Sequence, residues 1–174
     1  MKENADEQLR WYAIQCKGGE SFRAAEHLMR QDYHIFHPVL EVERKRRGKV
    51  EVQREPLFPY YLFIRLDRQA SNWRPIRSTR GVLKLVSFGK EPAAVPNELI
   101  EMLMAQASSE GDNQVSTNAY FRPGAKVEIT DGPFKDLEGV FINRKGEERV
   151  IILLNILQRQ QHMAFSVKQV RSVE

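Results

Sequence analysis

The side chains best equipped for chemistry in this sequence gather on one short stretch, Arg23, His27, Arg30 and Gln31. Counted at 100° per residue they fall on one side of a helix, within about 100° of one another. Guanidinium groups give paired donors to phosphate or guanine edges and a glutamine amide pairs with adenine, so such a face suits a nucleic acid. A second cationic group, Arg44-Lys45-Arg46-Arg47-Gly48-Lys49, lies between the alternating flanks Glu41-Val42-Glu43 and Val50-Glu51-Val52. It reads as the tip of a hairpin turning near Gly48, either simply solvated or an arm that attracts phosphate. Catalysis has no comparable set, since the sequence holds no Gly-rich phosphate loop, no paired cysteines and no nucleophile motif. His34 and His37 are three residues apart, but Pro38 imposes extended backbone and no acidic or cysteine ligand accompanies them, so no metal site is expected. The lone Cys16, inside the strand-like run Trp11 to Cys16, reads as a small buried filler kept as a thiol in a reducing compartment. The chain is expected to be no enzyme and to use no cofactor.

These residues need elements to hold them. At 174 residues, with 41% hydrophobic content and a mean hydropathy of −0.52, the chain suits one or two small globular domains. No apolar run approaches the roughly 20 residues of a membrane span, and the polar start lacks the apolar region of a secretory signal, so a cytoplasmic location is expected. A net charge of +4 and a pI near 9.3 favour an acidic partner only modestly. After the first strand Gly18-Gly19 breaks the pattern, and Ser21 caps a helix to about Gln31 whose buried stripe is Phe22, Ala25, Leu28 and Met29. Pro56 and Pro59 precede a strand from Tyr60 to Leu66 that is apolar on both faces: Tyr60, Leu62, Ile64 and Leu66 on one side, Tyr61 and Phe63 on the other. One face fills a core, and the other calls for a second partner. A helix from about Asn72, a strand near Leu83 to Phe88 and a helix from about Pro96 to Gln106 complete an α+β layer over residues 1–106. Residues 107–118, rich in Ser, Asn, Gln and Gly, form a linker, and 119–174 form a small second domain. In that domain the apolar run from Ile151 to Leu157 is compatible with helix or with strands.

Four motifs in this chain resemble, in order and spacing, those of the NusG-type transcription elongation factors. They are Trp11 to Lys17, Glu55 to Phe63 (EPLFPYYLF), Thr79-Arg80-Gly81-Val82, and the KOW-like segment Pro123 to Phe141; together they span nearly the whole chain after the first ten residues. The resemblance implies a NusG-type N-terminal α/β sandwich, a flexible linker and a C-terminal KOW domain built as a five-stranded β-barrel. Within the family the chain is similar to the operon-specific RfaH branch, and that implies DNA contacts by Lys17, Arg23, His27, Arg30, Gln31, Thr79 and Arg80 with a short hairpin element in the non-template strand. It implies RNA polymerase binding through Phe58, Tyr61 and Phe63 on the β′ clamp helices. The contact of that branch with the β-subunit gate loop falls on Asn72-Trp73-Arg74, where this chain departs from a His-Thr-Thr run.

The same branch implies that the second domain of a monomer packs as a helical hairpin over the polymerase-binding surface, held by Glu55 and Arg149, and turns into a barrel on release. Leu157 matches the position that then meets a small-subunit ribosomal protein. Pro133 argues against a full first helix in that hairpin, because in a helix interior it costs about 3 kcal/mol. The function so implied is transcription elongation and antitermination. The alternatives are a general NusG-like factor without DNA selectivity, whose second domain engages Rho, and a KOW-type module that binds ribosomes or RNA.

Overall fold

The computed structural model describes residues 9–67, 72–106, 118–121 and 145–172. Strand β1 (Leu9–Cys16) leads through a tight turn into helix α1 (Ser21–Arg30). The long strand β2 (His34–Arg46) turns back as β3 (Lys49–Pro56), and β4 (Tyr61–Asp67) follows. A single turn, α2 (Arg74–Arg77), and strands β5 (Val82–Leu85) and β6 (Ala94–Val95) precede helix α3 (Asn97–Gln106). Strand β7 (Asn118–Phe121) and a long helix α4 (Gly146–Ser172) end the described chain.

The sheet runs β3-β2-β4-β1-β5, with β6 added to β1 and β7 to β2. Every pairing is antiparallel except β7 on β2, which is parallel and joins Asn118–Phe121 to His37–Leu40. Because successive side chains in a strand point to opposite faces, β1 and β4 sort their residues into two cores. Tyr12, Ile14, Cys16, Leu62, Ile64 and Leu66 pack with Ala24, Ala25 and Leu28 of α1 and with Ile76 of α2. Trp11, Ala13, Tyr61 and Phe63 pack with Leu99, Ile100 and Leu103 of α3 and with Leu153, Ile156 and Leu157 of α4. The two-faced strand expected from the sequence is thus one layer shared by two cores.

Five expectations need correction. The stripe expected from Phe22, Ala25, Leu28 and Met29 is rotated, for Ser21, Ala24, Ala25 and Leu28 are buried while Phe22 and Met29 are 40% and 46% exposed. A close approach is the reason: a Cβ on Gly81 would stand 2.8 Å from the Glu20 carbonyl oxygen and 3.1 Å from the Ala24 Cβ, so this side of α1 must carry small residues. Ser21 is a buried first helical residue and not the cap; Glu20 takes that position, without a side-chain hydrogen bond. Tyr60 is outside the strand, because its φ of +75° breaks the extended geometry, and β4 begins at Tyr61. The helix expected from Asn72 shrinks to Arg74–Arg77 around Pro75, and the strand expected to reach Phe88 stops at Leu85.

The undecided apolar run is helical. Arg149, Leu153, Ile156 and Leu157 recur at i, i+4, i+7 and i+8 and are the buried residues among the described side chains of α4, the spacing of a single helix face. Residues 107–117 of the expected linker and the KOW-like segment lie outside the described residues, apart from the start of the second domain in β7. From Gly146 the chain is helix, so these residues form no part of a barrel in this structure.

Candidate nucleic-acid interface and the covered apolar face

Helix α1 and the Thr79-Arg80-Gly81 turn, far apart in sequence, form one piece of surface. The Gln31 side-chain amide donates to Thr79 Oγ1 at 2.9 Å and to the His27 carbonyl at 3.1 Å, while Thr79 Oγ1 donates to the Pro75 carbonyl at 2.8 Å. The Lys17 amide donates to the Gly81 carbonyl at 2.8 Å. Gly81 itself has a φ of +88° and no room for a side chain, so glycine alone fits where the turn meets the helix. At the far end of α1, Asp32 adopts left-handed backbone and the amides of Asp32 and Tyr33 bond the Met29 and Leu28 carbonyls, which ends the helix beside Gln31.

The cationic residues read from the sequence differ in what they can still do. Lys17, Arg23, Arg30 and Arg80 are exposed and His27 is half-buried. Arg23 Nη1 is 3.6 Å from Glu20 Oε1 and Arg30 Nη2 is 2.6 Å from Glu26 Oε1, so each guanidinium already has a carboxylate neighbour on its own helix. Such exposed pairs are worth about 0–1 kcal/mol and exchange readily for a phosphate. Thr79 is buried and the exposed Gln31 spends its Nε2 on it, so this pair fixes the turn against the helix. The basic hairpin stands apart. Arg47 and Gly48, with φ of 52° and 79°, make its two-residue turn, and β2 and β3 are exposed toward the tip.

Phe58, Tyr61 and Phe63 form the second candidate surface, and each is buried beneath α4 in the same core as Leu153, Ile156 and Leu157. Rings meet edge to face at 6.1 Å between Phe58 and Phe63, and Phe36 stacks on Phe63 at 6.0 Å. Arg149 pins the helix from its first turn: its Nε donates to the Leu57 carbonyl at 2.6 Å, and its Nη2 lies 3.8 Å from Glu55 Oε1. Arg149 is 1% exposed. Burial lowers the pKa of its guanidinium from the ordinary value, and Glu55 acts in the opposite direction. Glu55 also lies 3.8 Å from Arg44 of the basic hairpin. Gly146, at the start of α4, abuts Pro59 so closely that a Cβ would overlap the proline ring.

The remaining candidates are structural. Burial pushes the Cys16 thiol up to about 12, which leaves no thiolate to react. His37 is buried with the Phe22 ring edge-on at 4.8 Å. Among the described residues no three His, Cys, Asp or Glu side chains gather as a metal site. Trp73 donates to the Asp67 carbonyl at 3.2 Å and packs edge-on to Tyr12, and the Asn72 carbonyl accepts the Tyr33 hydroxyl at 2.7 Å. No helix among the described residues is long and apolar enough to cross a membrane.

A family model described as transcription termination factor nusG matches residues 9–104, which is more than half of the chain and takes in β1 through α3. The chain belongs to the NusG family. Among its NusG relatives, the transcription termination/antitermination protein of Thermus thermophilus is 28% identical over 179 residues, covering 93% of this chain and 97% of the relative. That of Yersinia pestis is 27% identical over 141 residues, covering 75% and 77%. A solved structure described as domain interaction in Thermotoga maritima NusG aligns at 18% identity over 56% of each chain with a TM-score of 0.38. The family-model match ends at residue 104 and so does not take in α4, the helix over Tyr61 and Phe63.

Tyr60 and Gly146 were missed by sequence reasoning. Nothing local gives the sign of φ at Tyr60, and Gly146 looks like an ordinary turn glycine until Pro59 is set beside it.

Proposed function

We propose that this NusG-family chain is a transcription elongation and antitermination factor of the operon-specific type, held closed until it meets its DNA element. One observation carries this: α4 covers Phe58, Tyr61 and Phe63, and the buried Arg149 ties it to Glu55 and Leu57. A factor that engaged every polymerase would have no use for a covered apolar face. In this reading the face docks on the β′ clamp helices of RNA polymerase once α4 leaves, and residues 119–174, with their KOW-like segment, become a barrel whose Leu157 meets a small-subunit ribosomal protein. Lys17, Arg23, His27, Arg30 and Arg80, positioned by Gln31 and Thr79, contact the non-template DNA strand. The protein acts without catalysis or cofactor, in the cytoplasm. A general NusG-type factor, with Rho as a partner and no DNA selectivity, accommodates the named relatives equally well.

Recruitment to elongation complexes halted on candidate leader sequences separates the two readings. The operon-specific factor binds one leader and not its scrambled form, and Arg23→Ala with Arg80→Ala removes the difference. Equal recruitment to both templates leaves the general factor. Tyr61→Asp with Phe63→Asp is expected to abolish polymerase binding, since unpaired charges in an apolar contact cost several kcal/mol, about 2–7 for a polar group and more for a charge. Because both rings are core residues here, circular dichroism must first show that the double variant folds.

A further inference from the structure

Tyr60 is used neither by the two cores nor by the covered face. Its φ of +75° is a region that bulky residues rarely adopt, and its side chain is 47% exposed, so burial does not offset the strain. The Tyr60 carbonyl accepts the Cys16 amide at 2.6 Å, and ring atom Cε1 lies 3.7 Å from the Cβ position of Gly18. The ring therefore rests on the turn that follows β1. The adjoining Lys17 amide is bonded to the Gly81 carbonyl, directly after Arg80. These backbone bonds bring the main chains of Tyr60, Cys16, Lys17 and Gly81 together, with Lys17 and Arg80 exposed at the same end of the sheet.

We propose that Tyr60 is a stacking platform for one unpaired base of the DNA strand contacted by Arg23 and Arg80, a role that rests on the DNA contact proposed above. Every nucleobase has a π face, so the ring adds affinity without choosing among bases, while Lys17 and Arg80 take the phosphates beside it. An exposed ring held at positive φ is suited to this, because the left-handed backbone just ahead of β4 leaves it in solvent while Tyr61 and Phe63 of β4 are buried.

The test uses the full chain and elongation complexes halted with 2-aminopurine at successive positions of the non-template strand, where stacking quenches fluorescence. Wild type and Tyr60→Phe are expected to quench at one position. Tyr60→Leu is expected to lose that quench and bind about tenfold more weakly, the order of one lost base stack. Tyr60→Asn relaxes the left-handed backbone and is expected to keep or raise Tm while losing the quench, a combination that a purely structural role does not produce. Undiminished quenching in Tyr60→Leu and Tyr60→Asn overturns the proposal. An equal loss of binding to polymerase without nucleic acid also overturns it, since the ring would then touch protein. If Arg23→Ala and Arg80→Ala leave recruitment unchanged, the DNA reading falls and the stacking role with it; if they weaken it and Tyr60→Leu does not, the stacking role alone falls.

Discussion

Cys16 shows how completely burial decides the chemistry of a residue. With its thiol pushed up to about 12, alkylation by iodoacetamide at pH 8 is expected only after the chain is unfolded, as mass spectrometry with and without denaturant would read. Fast modification of the native chain would mean that β1 opens locally. On α1 and its neighbouring turn the residues differ in another way, since Arg23 and Arg80 are exposed, Arg23 in an exchangeable pair with Glu20, while Gln31 is bonded to Thr79. An arginine that reads a base should lose about 1–3 kcal/mol on one template position when changed to alanine, whereas a phosphate contact weakens all templates alike. Gln31→Ala is expected to act indirectly, by loosening the Thr79 turn, so it should lower both Tm and recruitment. The cationic face was legible in the sequence because helical period alone assigns Arg23, His27 and Arg30 to one side. The occupied amide of Gln31 and the left-handed Tyr60 were not legible, because both are set by partners distant in the chain, Thr79 and Cys16.

Helix α4 is the element where propensity and packing pull apart. Ile151 and Ile152 favour strand, yet the run forms a helix whose Leu153, Ile156 and Leu157 complete a core with Tyr61 and Phe63. Ile151, at 57% exposed, is the residue that this choice leaves in solvent. The sequence left helix and strands open for this run, because the face that decides it lies on β4 and only the fold brings them together. Gly146 gives a direct test of that docking. A methyl group there overlaps Pro59, and the expected cost for Gly146→Ala is about 1–3 kcal/mol of helix docking, the usual range for overpacking. Hydrogen exchange should then speed up in α4 and in β4 together, while α1 keeps its protection; unchanged exchange would mean that α4 shifts without loss. The rotated stripe of α1 teaches the same lesson from the other side. Phe22 and Met29 are more apolar than Ser21 and Ala24, yet the Gly81 backbone selects the small residues for the buried face.

For the whole molecule, closure depends on a contact that solvent partly screens. Arg149 is buried but Glu55 is 36% exposed at 3.8 Å, so Glu55→Ala is expected to weaken closure by only about 1 kcal/mol. The larger part of the closure is apolar, with about 1.5–3 kcal/mol for each of Leu153, Ile156 and Leu157. Circular dichroism and NMR of the full chain, Glu55→Ala and the isolated segment 107–174 should therefore differ, with strand signals rising in that order. Identical spectra would remove the switch and leave the NusG-family assignment untouched. Strand β7 adds a consequence of its own. By pairing with His37–Leu40 it fastens the chain beside the sheet ahead of α4, so the helix is a tethered ligand of the face it covers. Its effective concentration is on the order of millimolar and does not fall on dilution. Under the proposed function, a polymerase at micromolar concentration therefore competes for that face at a roughly thousandfold disadvantage. If the proposed DNA contact at α1 holds, a partner kept nearby by that strand meets the helix on equal terms.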